Sequence, residues 1–184
     1  MTVSLPILNT ERLKIRSFRY DDLVAFTAYR ADPVIAQYQS WESYVFEDAK
    51  GLFEGMDYSL FGHAGMWFQL AIVDKSDMLI GDVALHFIDE QQMEVGFTIA
   101  NKYQQQGIAT EAMSAVIEYL FMELNKYRIT ATTDAENLAS MALLEKLGFR
   151  KEGHYLKNVF FKGQWGDECA YAMLKQDYVI KNEV

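Results

Sequence analysis

The stretch "EVGFTIANKYQQQGIATEAM", residues 94–113, changes its hydrophobic period part-way along. Up to Ile99 apolar and polar residues alternate, which is typical of a half-buried β-strand. From Gly107 onward apolar residues recur every three or four positions, which is typical of an amphipathic helix. The stretch therefore predicts a strand, a glutamine-rich loop and a long helix that begins at Gly107.

A loop that leads into a helix N-terminus is suited to binding an anion. The first N–H groups of a helix have no partner within the helix, and the positive end of its dipole lies there. Gly107 and Ala109 have little side chain to keep a pyrophosphate from the backbone. Such a site would work through N–H groups, so neutral glutamines suffice without arginine. The loop has neither the Gly-Lys-Ser/Thr ending of a nucleotide P-loop nor the Gly-x-Gly-x-x-Gly of a dinucleotide site.

The flanking sequence predicts a sheet with helices. The strand before the loop follows two others that form a hairpin, and a second helix after the loop lies between further strands. Strands are predicted at 12–18, 67–74, 78–88, 93–99, 127–133, 154–162 and 168–175, and helices at 20–33, 46–56, 107–124 and 137–148. The strand–helix–strand–helix centre implies one parallel strand pair inside a mostly antiparallel sheet.

Length and composition indicate one globular domain. The 184 residues are 51% hydrophobic and 23% charged, so the predicted domain is 1–184, with a core of about 10–176. The start of the chain lacks the pattern of a signal peptide, and no apolar run is long enough for a membrane span. The single cysteine allows no internal disulfide, which favours a reducing cytoplasm.

The net charge is −9, and no basic stripe suggests a nucleic-acid surface. The acidic residues are concentrated between 32 and 61, where six carboxylates accompany Lys50. Two interpretations are open: a solvated helical face, or a surface that attracts a cationic amine.

The order of these elements resembles the GNAT superfamily of acyl-CoA-dependent N-acyltransferases, and within it the branch of the ribosomal-protein N-terminal acetyltransferases. The resemblance rests on residues 94–113, on "DAENLASMALLEKLGFRKEGHY" (134–155) and on "FFKGQWGDECAYAML" (160–174). It implies an α/β (α+β) fold with a mixed, mostly antiparallel sheet, a central parallel pair splayed to hold acyl-CoA, and helices on both faces. One departure is Gln104, at a position where the family often has arginine.

The resemblance also implies which residues bind acetyl-CoA. Backbone groups of the loop would bind the pyrophosphate, the end of the preceding strand would pair with the pantetheine arm, and Asn137 would contact that arm. The implied cofactor-binding residues are Phe97, Thr98, Ile99, Gln104, Gln105, Gln106, Gly107, Ile108, Ala109, Thr110 and Asn137.

Transfer of an acetyl group to an amine requires a base, stabilisation of an oxyanion and release of a thiolate. Glu94 lies on the polar face of the strand before the loop, so it is the candidate base; an ordinary strand carboxylate is the alternative. Ser140 is the candidate hydrogen-bond donor to the thiolate, with a surface serine as the alternative. Asn137 is included with these catalytic candidates, although it also suits the N-cap of the second helix.

The acceptor side is less defined. Trp41 in "YQSWESY" and His154 are the candidate acceptor contacts, with core packing and an ordinary surface histidine as the alternatives. Cys169 lies in an apolar strand, which favours a core thiol over a nucleophile. The histidines show no metal-ligand spacing, so no metal is expected.

The sequence thus predicts a cytoplasmic N-acetyltransferase that uses acetyl-CoA and a primary amine in a ternary complex. The acceptor is a small molecule or a protein N-terminus, and a homodimer is one assembly to test. A transferase for a longer acyl group, such as succinyl, and a non-catalytic acyl-CoA-binding module are the alternatives.

Overall fold

The structure, a computed structural model, describes residues 5–182. Residues 1–4 and 183–184, the two ends of the predicted domain and the beginning of the segment searched for a signal peptide, lie outside this range. Within it, no helix has the length and apolar character needed to cross a membrane.

One eight-stranded sheet organises the chain, in the order β1-β2-β3-β4-β5-β6-β8-β7. Only β5 and β6 pair in parallel, and the other neighbours are antiparallel, so the predicted fold class is confirmed. The strands are Leu8–Asn9 (β1), Leu13–Ser17 (β2), Met66–Asp74 (β3), Leu79–Phe87 (β4), Gln92–Ile99 (β5), Arg128–Asp134 (β6), Arg150–Phe161 (β7) and Gln164–Leu174 (β8).

Helices cover both faces of the sheet. They are Leu23–Arg30 (α1), Pro33–Ala36 (α2), Phe46–Glu54 (α3), Ile108–Glu118 (α4), Leu138–Leu147 (α5) and Lys175–Asn182 (α6). Side chains of α1 and α3 pack with Ala71 and Val73 of β3. The alternate residues Leu70 and Ile72 belong to a larger core that includes the buried side chains of α4 and α5. Because alternate residues of a strand point to opposite faces, one face of the sheet carries α1 and α3, and the other carries α4 and α5.

The α4 helix follows its predicted pattern. Ile108, Ala112, Met113, Val116 and Ile117 are buried at helical spacing against the sheet. Gly107 precedes the helix with φ of 75°, a left-handed conformation that glycine adopts without steric cost. The helix ends earlier than predicted, because residues 119–123 form a π-helical turn.

Further element boundaries differ from the prediction. The predicted helix with Pro33 beyond its end is wrong at that end, because Pro33 is the first residue of α2, whose N-cap Asp32 accepts a hydrogen bond from Val34 N at 2.9 Å. The hairpin of β7 and β8 extends further than predicted, with its turn at Lys162 and Gly163, so Trp165 and Asp167 lie within β8. The last predicted strand ends at Leu174, where α6 begins.

Candidate active site

The two parallel strands separate at Glu94. β5 and β6 are in register at Gln92–Arg128, Met93–Ile129 and Glu94–Thr130, and no pairing continues beyond that point. Both strands nevertheless run on, to Ile99 and Asp134. A gap therefore opens in the middle of the sheet, and Glu94 lies at its closed end.

The gap forms a cleft of about 410 Å³. Residues 95–98 of β5 line one side and residues 131–134 of β6 line the other. Since consecutive residues of a strand face opposite sides of the sheet, this lining shows that the cleft passes through the sheet from one face to the other.

On the α5 face the cleft reaches Asn137, Ser140 and Leu144. Asn137 is the N-cap of α5, and its Oδ1 accepts a hydrogen bond from Ser140 N at 3.1 Å. Within residues 5–182 the Ser140 hydroxyl has no acceptor, so it is free to donate into the cleft.

The glutamine loop is shaped by its own side chains. Gln104 Nε2 donates to Ile99 O at 2.9 Å, and Gln106 Nε2 donates to Lys102 O at 3.0 Å. Gln105 and Gly107 have φ of 57° and 75°. The backbone N–H groups of residues 105–110 have no acceptor in the described part of the chain, and such a set of donors fits the oxygens of a pyrophosphate.

A charged side chain from the residue just before β2 lies against this loop. Arg12 Nη1 donates to Gln106 O at 2.9 Å, and Nε donates to Glu111 Oε2 at 2.6 Å. A Cβ placed on Gly107 would lie 3.4 Å from Arg12 Nη2. A guanidinium from a distant part of the chain thus lies beside the loop in which Gln104 takes the place of the usual arginine.

At the α1 face the cleft ends on a buried carboxylate. Asp82 is 1% exposed and accepts hydrogen bonds from Tyr29 Oη, Gln69 Nε2 and, at 3.3 Å, Arg30 Nη2. Burial raises the pKa of Tyr29 well above its ordinary value, and the nearby Asp82 charge raises it further. Burial alone would lower the pKa of Arg30, but the charge and hydrogen bond of Asp82, together with Tyr29 and Tyr44, raise it above its ordinary value.

Aromatic rings hold the Arg30 guanidinium in place. Its Cζ lies 4.3 Å from the ring centroid of Phe26, 4.7 Å from that of Trp41 and 5.4 Å from that of Tyr44. These distances are in the range of cation–π contacts. Arg30, Gln69 and Asp82 all line the cleft, so this cluster forms its wall on that face.

Glu94 lies beside a histidine. Glu94 Oε2 is 3.5 Å from His86 Nδ1, and the Glu94 side chain is 31% exposed. The His86 ring stacks on Trp67 with centroids 4.4 Å apart and an interplanar angle of 8°. Glu94 lines the cleft, whereas His86 lies behind it, away from the lining.

The predicted acceptor residues lie elsewhere. Trp41 does not line the cleft; its Nε1 donates to Arg30 O at 3.0 Å, and its ring covers the Arg30 guanidinium. His154 is exposed on β7, with Nε2 3.0 Å from Asp167 Oδ2, and it is also outside the lining. Cys169 is buried in the core, as predicted. Tyr38, Gln39 and Ser40, just before Trp41, do line the cleft.

The acidic stretch of residues 32–61 is also separate from the cleft. Asp32, Asp48 and Asp57 each accept a hydrogen bond from a backbone N–H at the start of a helical turn, and Glu54 lies 3.7 Å from Lys50. The cleft has carboxylates of its own, which the sequence did not single out apart from Glu94. The acidic lining residues are Asp82, Glu94, Asp134 and Glu168, and the basic one is Arg30.

One sequence signal pointed to Asp82. It is a lone acid in "LIGDVALHF" (79–87), a strand of otherwise apolar or small residues apart from His86, and a buried acid requires partners. Its partners come from residues 29, 30 and 69, and no local pattern predicts those contacts.

Comparisons with known proteins show the family to which the chain belongs. Residues 12–150 match the family model described as the acetyltransferase (GNAT) domain. The chain is 33% identical, over 93% of its length and 98% of the relative's, to an uncharacterised N-acetyltransferase of Bacillus subtilis.

Two solved structures are similar to the chain. A Vibrio cholerae spermidine N-acetyltransferase in complex with CoA and spermine has a TM-score of 0.79 and 25% identity, covering 92% of this chain and 99% of its own. The ribosomal-protein-S5-alanine acetyltransferase of Vibrio fischeri has a TM-score of 0.80 and 26% identity, covering 94% and 98%. The chain therefore belongs to the GNAT family of acetyl-CoA-dependent N-acetyltransferases.

Proposed function

We propose that the chain transfers an acetyl group from acetyl-CoA to a cationic primary amine by direct attack in a ternary complex. The observation that carries this proposal is the cleft through the sheet, which opens at Glu94 and has separate walls on the two faces. Two substrates that enter from opposite faces would meet beside Glu94, with no need for an acetylated enzyme residue. The buried position of Cys169 supports this, because a core thiol is not available as a nucleophile.

The proposed site for CoA runs along the loop and the free edge of β5. The six unbonded N–H groups at residues 105–110 would bind the pyrophosphate. Beyond Glu94 the edge of β5 that faces β6 lacks a partner strand, so an extended pantetheine arm can pair with its backbone as an added strand would. Phe97 and Thr98 line this part of the cleft, while Ile99 contributes the carbonyl that fixes Gln104.

The chemistry requires proton transfers at both reacting atoms. Glu94 would take a proton from the incoming ammonium, which leaves a neutral amine to attack the thioester carbon. Ser140, whose hydroxyl is free, would donate a hydrogen bond to the departing sulfur; a thiol of pKa about 8.5 leaves readily with such modest help. Asn137 would position Ser140 through the bond from Ser140 N to its side chain.

The charges of the cleft favour a cationic acceptor. Four acidic residues and one basic residue line it, and Arg30 compensates Asp82 directly. An ammonium would be attracted to the remaining carboxylates, and a polyamine would engage more than one of them. The bound spermine of the Vibrio cholerae relative is in accord with this chemistry. A protein N-terminus is the second candidate, because the Vibrio fischeri relative is named for such a substrate.

The test is release of free thiol from acetyl-CoA with a panel of amines. The panel contains spermidine, an alanine-initiated peptide, an aminoglycoside and a neutral amino acid, each with wild type and Glu94→Gln. We expect the fastest release with spermidine. Faster release with the peptide would favour the protein acceptor, and a preference for succinyl-CoA would favour the longer-acyl alternative. Tight CoA binding without thiol release for any amine would favour a non-catalytic binding module. The predicted homodimer and cytoplasmic location remain predictions.

A further inference from the structure

Three side chains form a row across the sheet next to the cleft. Strand register places Trp67 of β3 opposite His86 of β4, and His86 opposite Glu94 of β5. All three point to the face that carries α1. The row begins at Glu94 in the cleft and ends at Trp67, which is 50% exposed to solvent.

The His86 ring has an unused nitrogen in this row. Its Nδ1 is inaccessible to solvent and has no hydrogen-bond partner within residues 5–182. The nearest carboxylate oxygen, Glu94 Oε2, is 3.5 Å away, which is a few tenths of an ångström beyond hydrogen-bond length. A buried ring nitrogen without a partner destabilises the folded state, and a small rotation of Glu94 would provide the partner.

The proposed reaction gives such a pair a role. A bound ammonium loses two protons in each turnover: one before the nitrogen attacks, and one as the N–C bond forms and the C–S bond breaks. The second proton can leave with the thiolate as free CoA thiol. The first remains on Glu94, and it must reach solvent before the next cycle.

We propose that His86 is a positioning and proton-relay residue for Glu94, an inference that rests on the proposed function. Nδ1 accepts the proton from the Glu94 carboxyl, and the proton on Nε2 passes to water, so one proton enters the ring and one leaves it. When the product has left and water refills the cleft, proton exchange with that water moves the ring proton from Nδ1 back to Nε2, which restores the starting tautomer with no net change in protons. The face of Trp67 stabilises the transient imidazolium by a cation–π contact. The balance is one ammonium and one thioester converted to one amide, one thiol and one released proton.

Few charged groups compete for His86. Asp82 lies four positions before His86 on the same strand and the same face, but it is already bonded to Tyr29 and Gln69. On β6, Arg128 lies two positions before Thr130, the partner of Glu94, on the same face, and it is bonded to Glu152. From β5 the group that faces His86 is Glu94, and from β3 it is the uncharged Trp67.

The test is chemical rescue of His86→Ala. We expect kcat with the best amine to fall by about tenfold or more, a smaller loss than the roughly hundredfold typical of a general base itself, while KM for acetyl-CoA is unchanged. Added imidazole should restore kcat in a saturable way. His63→Ala is the matched control, because His63 is exposed in the loop before β3, and it should change neither kcat nor the response to imidazole.

A second His86 variant and an NMR measurement test the relay even if His86→Ala does not fold. His86→Gln retains a polar side chain of similar reach and should fold even if the alanine variant does not; it should lose kcat without the ability to relay a proton. In the free protein, Glu94→Gln should displace the imidazole 15N signals of His86 and leave those of His63 in place. Full activity of both His86 variants, or a loss that imidazole does not restore and that raises KM for acetyl-CoA, would overturn the relay.

The relay and the proposed function fail in different ways. If Glu94→Gln is as active as wild type, the proposed base is wrong and the relay fails with it. If Glu94→Gln is inactive and His86→Ala is normal, only the relay is wrong. We expect the variant that combines Glu94→Gln with His86→Ala to be no slower than Glu94→Gln alone, because the two residues act on the same proton.

Discussion

Arg12 and Glu111 are 99 residues apart in the sequence, yet Arg12 Nε lies 2.6 Å from Glu111 Oε2. Glu111 Oε1 also accepts from Arg12 N at 2.8 Å and from Thr10 Oγ1 at 2.5 Å. Burial alone would raise the pKa of Glu111, but the hydrogen bonds from Thr10 and Arg12 outweigh it and lower the pKa. The segment that leads into β2 is thus bonded to the first turn of α4, next to the proposed phosphate loop.

The first prediction concerns this tie. Arg12→Ala should weaken CoA binding about fivefold, because Gln106 O loses its donor and the loop loses a positive charge. This corresponds to a loss of about 1 kcal/mol of binding free energy, a typical size for a partly exposed ion pair. Titration calorimetry with CoA measures it. Arg19→Ala is the control, since Arg19 is similarly exposed and pairs with Asp77 instead. Equal affinities of the two variants would show that Arg12 has no part in CoA binding.

The second prediction concerns Gly107. Gly107→Val should reduce CoA affinity sharply, because a side chain at this position strains a backbone with φ of 75° and obstructs the loop. Gly163 in the β7–β8 turn has φ of 78° and nothing within 4 Å of an added Cβ. Gly163→Val therefore introduces similar strain far from the loop and should leave CoA affinity unchanged. Calorimetry on both folded variants separates loop geometry from general destabilisation.

The third prediction concerns the proposed base. Glu94→Gln should lower kcat/KM for the amine by about a hundredfold or more, with the affinity for acetyl-CoA nearly unchanged. The loss should grow as the pH falls below the pKa of the amine, because the variant can use only the neutral amine. Ser140→Ala should cost less, since the thiolate leaves fairly well unaided. Full activity of Glu94→Gln at every pH would assign the proton transfer to another group or to water.

The fourth prediction concerns attraction of the acceptor. kcat/KM for a cationic amine should fall with ionic strength more than the value for acetyl-CoA does. Glu168→Gln, in the cleft lining, should flatten this dependence. The pair Glu42→Gln and Glu47→Gln is the matched surface control, and it spares Asp48, whose carboxylate holds Val45 N at the start of α3. If only the surface pair flattens the response, the acidic stretch of residues 32–61 is the attracting surface.

The fifth prediction concerns stability at low pH. A hydrogen bond from Arg16, its positive charge and further contacts from Lys14 and Arg19 lower the pKa of Asp77 from 3.8 to about 2. A carboxylate with a lowered pKa stabilises the folded state above its ordinary pKa, and this contribution is lost as the pH falls from about 3.8 through about 2.

Asp77→Asn should therefore lower the free energy of unfolding at pH 7 by at most about 1 kcal/mol, given the exposure of the pair. The difference from wild type should disappear near pH 2. Asparagine suits the position, because residue 77 has φ of 64° and asparagine tolerates the left-handed region. Urea unfolding at the two pH values measures this, with Glu11→Gln at an exposed site as control. A difference that persists at pH 2 would show that the ion pair is not its cause.

Local patterns predicted the centre of the fold well. The change of period at Gly107 located the loop and α4, and Asn137 and Gly148 at the two ends of α5 are cap residues that a sequence displays directly. The helix boundary at Pro33 was predicted wrongly because proline suits both the end of one helix and the first turn of the next. The choice depended on Asp32, whose carboxylate caps α2.

The site was only partly predictable. Glu94, which lines the cleft, could be proposed as the base because strand alternation and proximity to the loop are local properties. The Asp82 cluster joins residues 52 and 53 positions apart in the chain through Tyr29 and Arg30, and such contacts depend on how helices lie on the sheet. The pairing of His86 with Glu94 depends on hairpin register, and a slip of one residue would have turned His86 to the opposite face.

Because the cleft passes through the sheet, its two ends are built from different residues and can change independently in evolution. The wall on the α1 face comes from residues 30, 38–40, 69 and 82, and none of these belongs to the phosphate loop or to α5. Substitutions there can recruit a new amine while the machinery for the thioester is inherited intact. Laboratory selection for altered acceptors should accordingly concentrate its changes in residues 30–40, and lineages that diverge in acceptor should still share a loop of the same conformation.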